Sequence, residues 1–170
     1  GEVRYAQVLM AVMPHSQHTF AIALPSQCTA DFTHGLNEAL RFFGGLPKVI
    51  LSDNLKAFVI RADRYEPDFN DVCVQLANHY QLDLQATRVA SPKDKASVEG
   101  AVRIGYSRLY APLRDRTFFS IDQINAALRE QLEDHLYRPF TKRPGSRRKI
   151  FEIYELPQMR PLPNEPFLLK

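Results

Sequence analysis

Two carboxylates, Asp53 and Glu99, stand out by their surroundings. Asp53 follows the apolar run Val49-Ile50-Leu51 in "KVILSDNLKAF", which stops at Ser52. Glu99 lies in "SPKDKASVEGAV", about one turn into a stretch that reads as a helix. Carboxylates held close together repel, and one of the pair is pushed towards neutrality. A divalent cation removes that conflict, and hard oxygen donors with open positions suit Mg²⁺ or Mn²⁺. Two such ions about 3.5–4 Å apart serve phosphoryl transfer, activating a nucleophile and stabilising a leaving oxygen. Cations flank both acids. Lys56 follows Asp53, Lys93 and Lys95 precede Glu99, and Arg103 comes one helical turn after it. A phosphate backbone passing the acids would account for that company. The plainer alternative makes Asp53 a turn residue and Glu99 a partner in ordinary i, i+4 ion pairs with Lys95 and Arg103. That alternative explains the helix but leaves Lys56 beside Asp53 without a reason.

A second polyanion contact is suggested by charge. The chain has 170 residues and a net charge of +3. The segment from Arg138 to Ile150, "RPFTKRPGSRRKI", holds six basic residues and no acid, so the remainder is net acidic. A basic segment concentrated on an acidic chain points to a local polyanion partner, against the alternative of a solvated basic loop. Hydrophobic residues make up 45% of the chain, which argues for a packed domain rather than disorder. No apolar run approaches the roughly 18–20 residues of a membrane span, and no secretory signal is read at the start. Cys28 and Cys73 lack CxxC spacing, which favours a reduced, cytoplasmic setting. The five histidines show no zinc-type pairing with cysteine, and His15 with His18 is a weak metal signal.

These side chains need elements to hold them. "RYAQVLMAVMP" and "HTFAIALPS" read as an antiparallel strand pair joined by a tight connection. "TADFTHGLNEALRFFGG" is a helix, with Thr29 as its cap, Asp31 in its first turn and Gly44-Gly45 as its stop. "LPKVILSD" reads as a short, fully buried strand with a parallel neighbour, because it follows a helix. "NDVCVQLANHYQ" is a helix with Cys73, Leu76, Ala77 and Tyr80 on one face, making Cys73 a core residue. "LDLQATRVA" is a strand, and a long helix runs from about Lys95 to Leu109. "SIDQINAALREQLEDHLY" is a helix with a Ser120–Gln123 capping box and a stripe of Ile121, Ile124, Leu128, Leu132 and Leu136. The proline-rich "LPQMRPLPNEPF" reads as an extended linker. If the two predicted inner strands are neighbours, Asp53 and the helix carrying Glu99 start from one sheet edge. Tyr106 and Tyr110 read as core packing, with base stacking as the alternative.

Taken together, "LPKVILSDNLKAFV" and "SPKDKASVEGAVR" followed by "YAPLRDRTFFS" resemble the catalytic core of DDE transposases and retroviral-type integrases. The likeness is greatest to the IstA-like transposases of bacterial insertion sequences. It runs from "GEV" through "RPGSRRKIF" to "RPLP". The resemblance implies an α/β, RNase H-like fold, a mixed sheet flanked by helices. It implies that Asp53 and Glu99 are the second and third of three catalytic, metal-binding acids. The first Asp would then stand on a strand before "GEVRY", so the sheet is expected to lack its first strand here. A chain with two of the three ligands is expected to bind metal poorly and to be inactive alone. Asp31 falls at a helix start and does not fit the first role.

On this resemblance residues 1–137 form the catalytic core and 138–170 a basic, proline-rich extension. The implied chemistry is Mg²⁺- or Mn²⁺-dependent DNA cleavage and strand transfer, with two ions in the complete site. Lys56, Lys93, Lys95 and Arg103 would position the DNA backbone, and Arg143, Arg147, Arg148 and Lys149 would add a more general phosphate contact. Implied partners are transposon-end and target DNA, further copies of the chain and an AAA+ helper ATPase, in a bacterial cytoplasm. Two alternatives remain at this point: a nuclease of the same fold, such as a ribonuclease H or junction resolvase, and a non-catalytic α/β module that binds DNA or a protein.

Overall fold

The first strands pair as the alternation of apolar residues demands. In the computed structural model β1 (Gln7–Val12) and β2 (Thr19–Leu24) run antiparallel, from Gln7 opposite Leu24 to Val12 opposite Thr19. The structure describes residues 2–52, 59–61, 68–69, 71–86 and 92–169. Two units are distinguished: residues 1–25 with 93–158, and residues 26–92 with 159–170. Among the described residues no helix is long and apolar enough to cross a membrane.

In the first unit, the β1–β2 turn closes through hydrogen bonds from Met13 N–H to the His18 carbonyl and from Gln17 N–H to the Met13 carbonyl, both 2.9 Å. Gln17 takes a left-handed backbone, φ 61°. Glu155 braces the turn, its carboxylate accepting the N–H groups of His15 and Ser16 at 3.3 and 3.1 Å. Every residue of β2 is buried, and α4 (Ile121–Tyr137) packs on it. The capping box at α4 is present in a shifted form. Ser120 Oγ accepts the Gln123 N–H at 3.1 Å, while the Gln123 side chain accepts from Phe119 N–H at 2.8 Å. Leu128, Leu132 and Leu136 form the buried part of the expected stripe. Asn125 adds a contact the sequence did not suggest. Its side-chain amide accepts the Ala23 N–H at 2.7 Å and donates to the Ala23 carbonyl at 3.1 Å. It therefore pairs with Ala23 as a neighbouring strand would and covers that part of the β2 edge.

The helix expected from Lys95 begins earlier and changes pitch. α3 spans Pro92–Gly105 and passes into a wide π turn, Tyr106–Tyr110, and a 3₁₀ turn containing Pro112. Ser97 Oγ donates to the Pro14 carbonyl at 2.8 Å, tying the front of α3 to the end of the β1 segment.

In the second unit, α1 spans Thr29–Phe43. Its cap differs from expectation: Thr29 is the first helical residue and Cys28 occupies the cap position. The side chain that organises the entry is Ser26, which accepts the Cys28 N–H at 3.1 Å and donates to Asp31 at 2.6 Å. Gly44, at φ 77°, ends the helix with its N–H on the Leu40 carbonyl, the left-handed conformation that glycine adopts without steric cost. β3 (Val49–Ser52) pairs in parallel with β6 (Asp83–Ala86), from Val49 opposite Asp83 to Ser52 opposite Ala86. β3 is not fully buried as expected. Val49 and Leu51 are exposed, whereas Ile50 packs against the core. The strand thus alternates, with one side on the core and the other open. β4 (Val59–Arg61) and β5 (Asp68–Phe69) form an antiparallel pair that the sequence reading left unassigned. α2 (Asp71–Tyr80) turns Cys73, Leu76 and Tyr80 inward, as expected. The core joins these to Leu36, Leu40, Leu46, Leu82 and Phe167.

The C-terminal stretch differs from the expected linker, because its side chains have partners to bury against. Leu46 and Arg160 exchange backbone hydrogen bonds of 2.8 and 3.1 Å. The Arg160 guanidinium donates to the carbonyls of Gln81, Tyr80 and Pro47 at 2.7, 3.1 and 3.4 Å, satisfying acceptors at the end of α2. Phe167 enters the core, its N–H donating to the Tyr80 hydroxyl at 2.9 Å. Residues 138–158 belong to the first unit and 159–170 to the second.

Candidate metal centre and nucleic-acid interface

The β3–β6 register fixes one end of the candidate site. Ser52 lies opposite Ala86, so both strands end together at one edge of that pair. Asp53 is the next residue in the chain. Asp53 and Lys56 themselves lie outside the described residues, as do the side chains of Lys93 and Lys95. After β6 the chain continues into α3, which carries Glu99 and Arg103, both exposed. Among the described residues no cluster of three His, Cys, Asp or Glu side chains is formed. The donor chemistry of Asp53 and Glu99 suits a hard divalent cation: both offer carboxylate oxygen, and the Glu99 side chain is open to solvent.

Sequence reasoning grouped the basic segment by proximity along the chain; the fold sorts it differently. A short helix, α5 (Arg147–Ile150), is capped by Ser146, whose Oγ accepts the Lys149 N–H at 3.2 Å. Arg143 and Lys149 are exposed. Arg148 is engaged with Glu152 at 2.7 Å and approaches His18 Nε2 at 3.4 Å. Arg147 is buried, its guanidinium 4.9 Å from the centre of the Phe140 ring, and Arg143 sits 4.2 Å from the same ring centre.

Two buried histidines, unremarked in the sequence except for His18 as a weak metal candidate, lie beside these arginines. His18 stacks on Phe151 at 4.5 Å. Burial, then Arg148 and His135, push the His18 pKa down to about 3. Burial and the neighbouring Arg147, Arg108 and Arg138 outweigh Asp134 and push His135 down to about 3 as well. Arg108 Nη1 approaches His135 Nδ1 at 3.3 Å. An arginine only donates, so Nδ1 is the unprotonated nitrogen. Tyr106 is exposed and meets Tyr110 edge to face at 4.8 Å. Burial, then Tyr106, raise the Tyr110 hydroxyl to about 12.

Residues 1–92 match the family described as "Integrase core domain". The chain is 42% identical over 167 residues to "Putative transposase y4bL/y4kJ/y4tB" of Sinorhizobium fredii (strain NBRC 101917 / NGR234), covering 98% of the chain and 32% of that protein. It is 36% identical over 167 residues to "Putative transposase for insertion sequence IS1162" of Pseudomonas fluorescens, covering 98% and 30%. It is 29% identical over 156 residues to "Transposase for insertion sequence element IS21" of Pseudomonas aeruginosa, covering 89% and 38%. The chain thus spans about a third of the length of these relatives. Among solved structures, the catalytic core domain of BIV integrase superimposes with a TM-score of 0.68 at 17% identity, covering 86% of each chain. The HTLV-2 integrase catalytic core domain in complex with magnesium gives 0.63 at 15% identity, covering 87% and 88%. At such identities the likeness establishes the fold: RNase H-like mixed α/β.

Proposed function

We propose, from the premise that this chain belongs to the integrase core domain family, that it is the catalytic core of a DNA transposase that cuts DNA and joins the released 3′-OH to a target strand. The observation that carries this reading is the sequence match to insertion-sequence transposases along 98% of the chain. The parallel pairing of β3 with β6 supports it, because that pairing ends β3 at a sheet edge immediately before Asp53. Asp53 and Glu99 would hold the metal. Mg²⁺ or Mn²⁺ bound there supplies Lewis-acid stabilisation of the oxygens at the reacting phosphorus. Lys56, Lys93, Lys95 and Arg103 are the cations proposed to orient the phosphate backbone. Arg143 and Lys149, both exposed, contribute from the basic segment, together with the buried Arg147 and the half-buried Arg148. The proposed setting is a bacterial cytoplasm, with transposon-end and target DNA, further copies of the chain and an AAA+ helper ATPase as partners.

The test uses the full-length protein with Asp53→Asn and Glu99→Gln. Cleavage and strand transfer are expected to fall to background in both variants while DNA binding persists. Cleavage that survives both changes with unaltered Mn²⁺ dependence refutes the assignment. Supplying precut 3′-OH ends separates a transposase from a nuclease of the same fold, because only the former joins them to a target.

A further inference from the structure

Four arginines from separate parts of the first unit share one electrostatic neighbourhood, two of them on the ring of Phe140. Arg143 and Arg147 lie 4.2 and 4.9 Å from its ring centre, so their charges sit within about one Debye length of each other, roughly 8–10 Å. Arg108 arrives from the π turn after α3 and is oriented by His135. Arg138 ends α4. Burial, then Arg108, Arg143 and Arg138, depress the Arg147 guanidinium to about 10. Three carboxylates of this unit are engaged elsewhere: Asp134 with Arg138 at 2.5 Å, Glu152 with Arg148 at 2.7 Å, and Glu155 with the β1–β2 turn. Among the described residues, Arg108, Arg143 and Arg147 have no carboxylate within ion-pair distance. Arg147 is only 5% exposed, but none of its guanidinium nitrogens is both sealed from solvent and without a partner.

Crowding guanidiniums together without a carboxylate among them costs electrostatic repulsion. Cation–π contact with Phe140 offsets part of that cost, and it gives no reason for three further arginines to crowd the same place. A phosphate does, because its oxygens match the planar donor fork and its charge relieves the repulsion. We infer that Arg147, Arg143 and Arg108 form a clamp for one backbone phosphate of duplex DNA. Phe140 is the platform for two of the guanidiniums, and neutral His135 orients the third. The clamp rests on the DNA reading above and deepens it, adding Arg108 from a distant part of the chain and replacing a diffuse basic segment with a defined contact.

Its test measures the salt dependence of duplex binding by the full-length protein, using an oligonucleotide of arbitrary sequence. Arg108→Gln and Arg143→Gln are each expected to lower the slope of log affinity against log salt, by up to about 0.9, the value for complete loss of one phosphate contact. Arg147→Met keeps the apolar stem against Phe140 and should do the same; the two other variants carry the test if it does not fold. Arg41→Gln, a surface change in the second unit, is expected to keep the wild-type slope. Folded variants at Arg108 and Arg143 that bind DNA with the wild-type slope overturn the clamp and leave the transposase reading standing. An equal fall for Arg41→Gln also overturns it, since the effect would be general electrostatics. Wild-type protein that neither binds nor cuts DNA overturns both.

Discussion

At the scale of single residues, the sequence displayed the acids and the structure supplied the neighbours of the bases. Asp53 and Glu99 could be singled out because their flanking lysines and arginine are local in the chain. His18 and His135 could not, because their shared environment depends on Arg108, Arg147 and Arg148 from elsewhere. Their environment makes a testable statement about pH. Both are neutral in the folded protein, with pKa lowered from 6.5 to about 3. Between those pH values the unfolded chain binds more protons than the folded one, so stability rises with pH there. The contribution is complete above about pH 6.5 and is lost progressively as pH falls towards 3. At pH 5 the loss is about 2 kcal/mol per histidine. Denaturant midpoints measured at pH 7 and pH 5 should therefore separate, and His135→Gln should narrow the separation. An unchanged gap would show that the imidazole does not stay neutral in the fold.

At the scale of elements, periodicity revealed those that bury a continuous stripe, such as α1, α2 and α4. It missed the β4–β5 pair, whose strands are too short to show a pattern, and it assigned the C-terminal stretch to a linker because prolines favour extended chain. Extended chain can still be docked chain: Arg160 reaches carbonyls at the end of α2, and Phe167 enters the core of the second unit. Truncating Phe167 to Ala is expected to cost about 3–5 kcal/mol, the range for a buried phenyl group. A loss below about 1 kcal/mol by chemical denaturation would mean that the stretch is only loosely attached.

At the scale of the whole molecule, both units are built from segments far apart in the chain. The first takes the β1–β2 hairpin from residues 1–25 and everything else from residues 93–158. α4 packs on β2, and Asn125 binds both backbone groups of Ala23. A fragment of residues 93–158 alone would expose the apolar stripe of α4 and is expected to show no cooperative thermal transition by circular dichroism. A sharp transition in that fragment would show that the hairpin is dispensable. From its residues alone, the chain declared an α/β protein with a pair of acids and their cations suited to phosphate chemistry, because strand alternation, helical stripes and local charge are written in short windows. Tertiary structure alone decided which strands pair, that the C-terminal stretch is packed, and that Arg143 and Arg147 share the ring of Phe140 while Arg108 meets His135. Such contacts depend on loop closure between distant residues and on the burial that follows, and neither has a local signature in the chain.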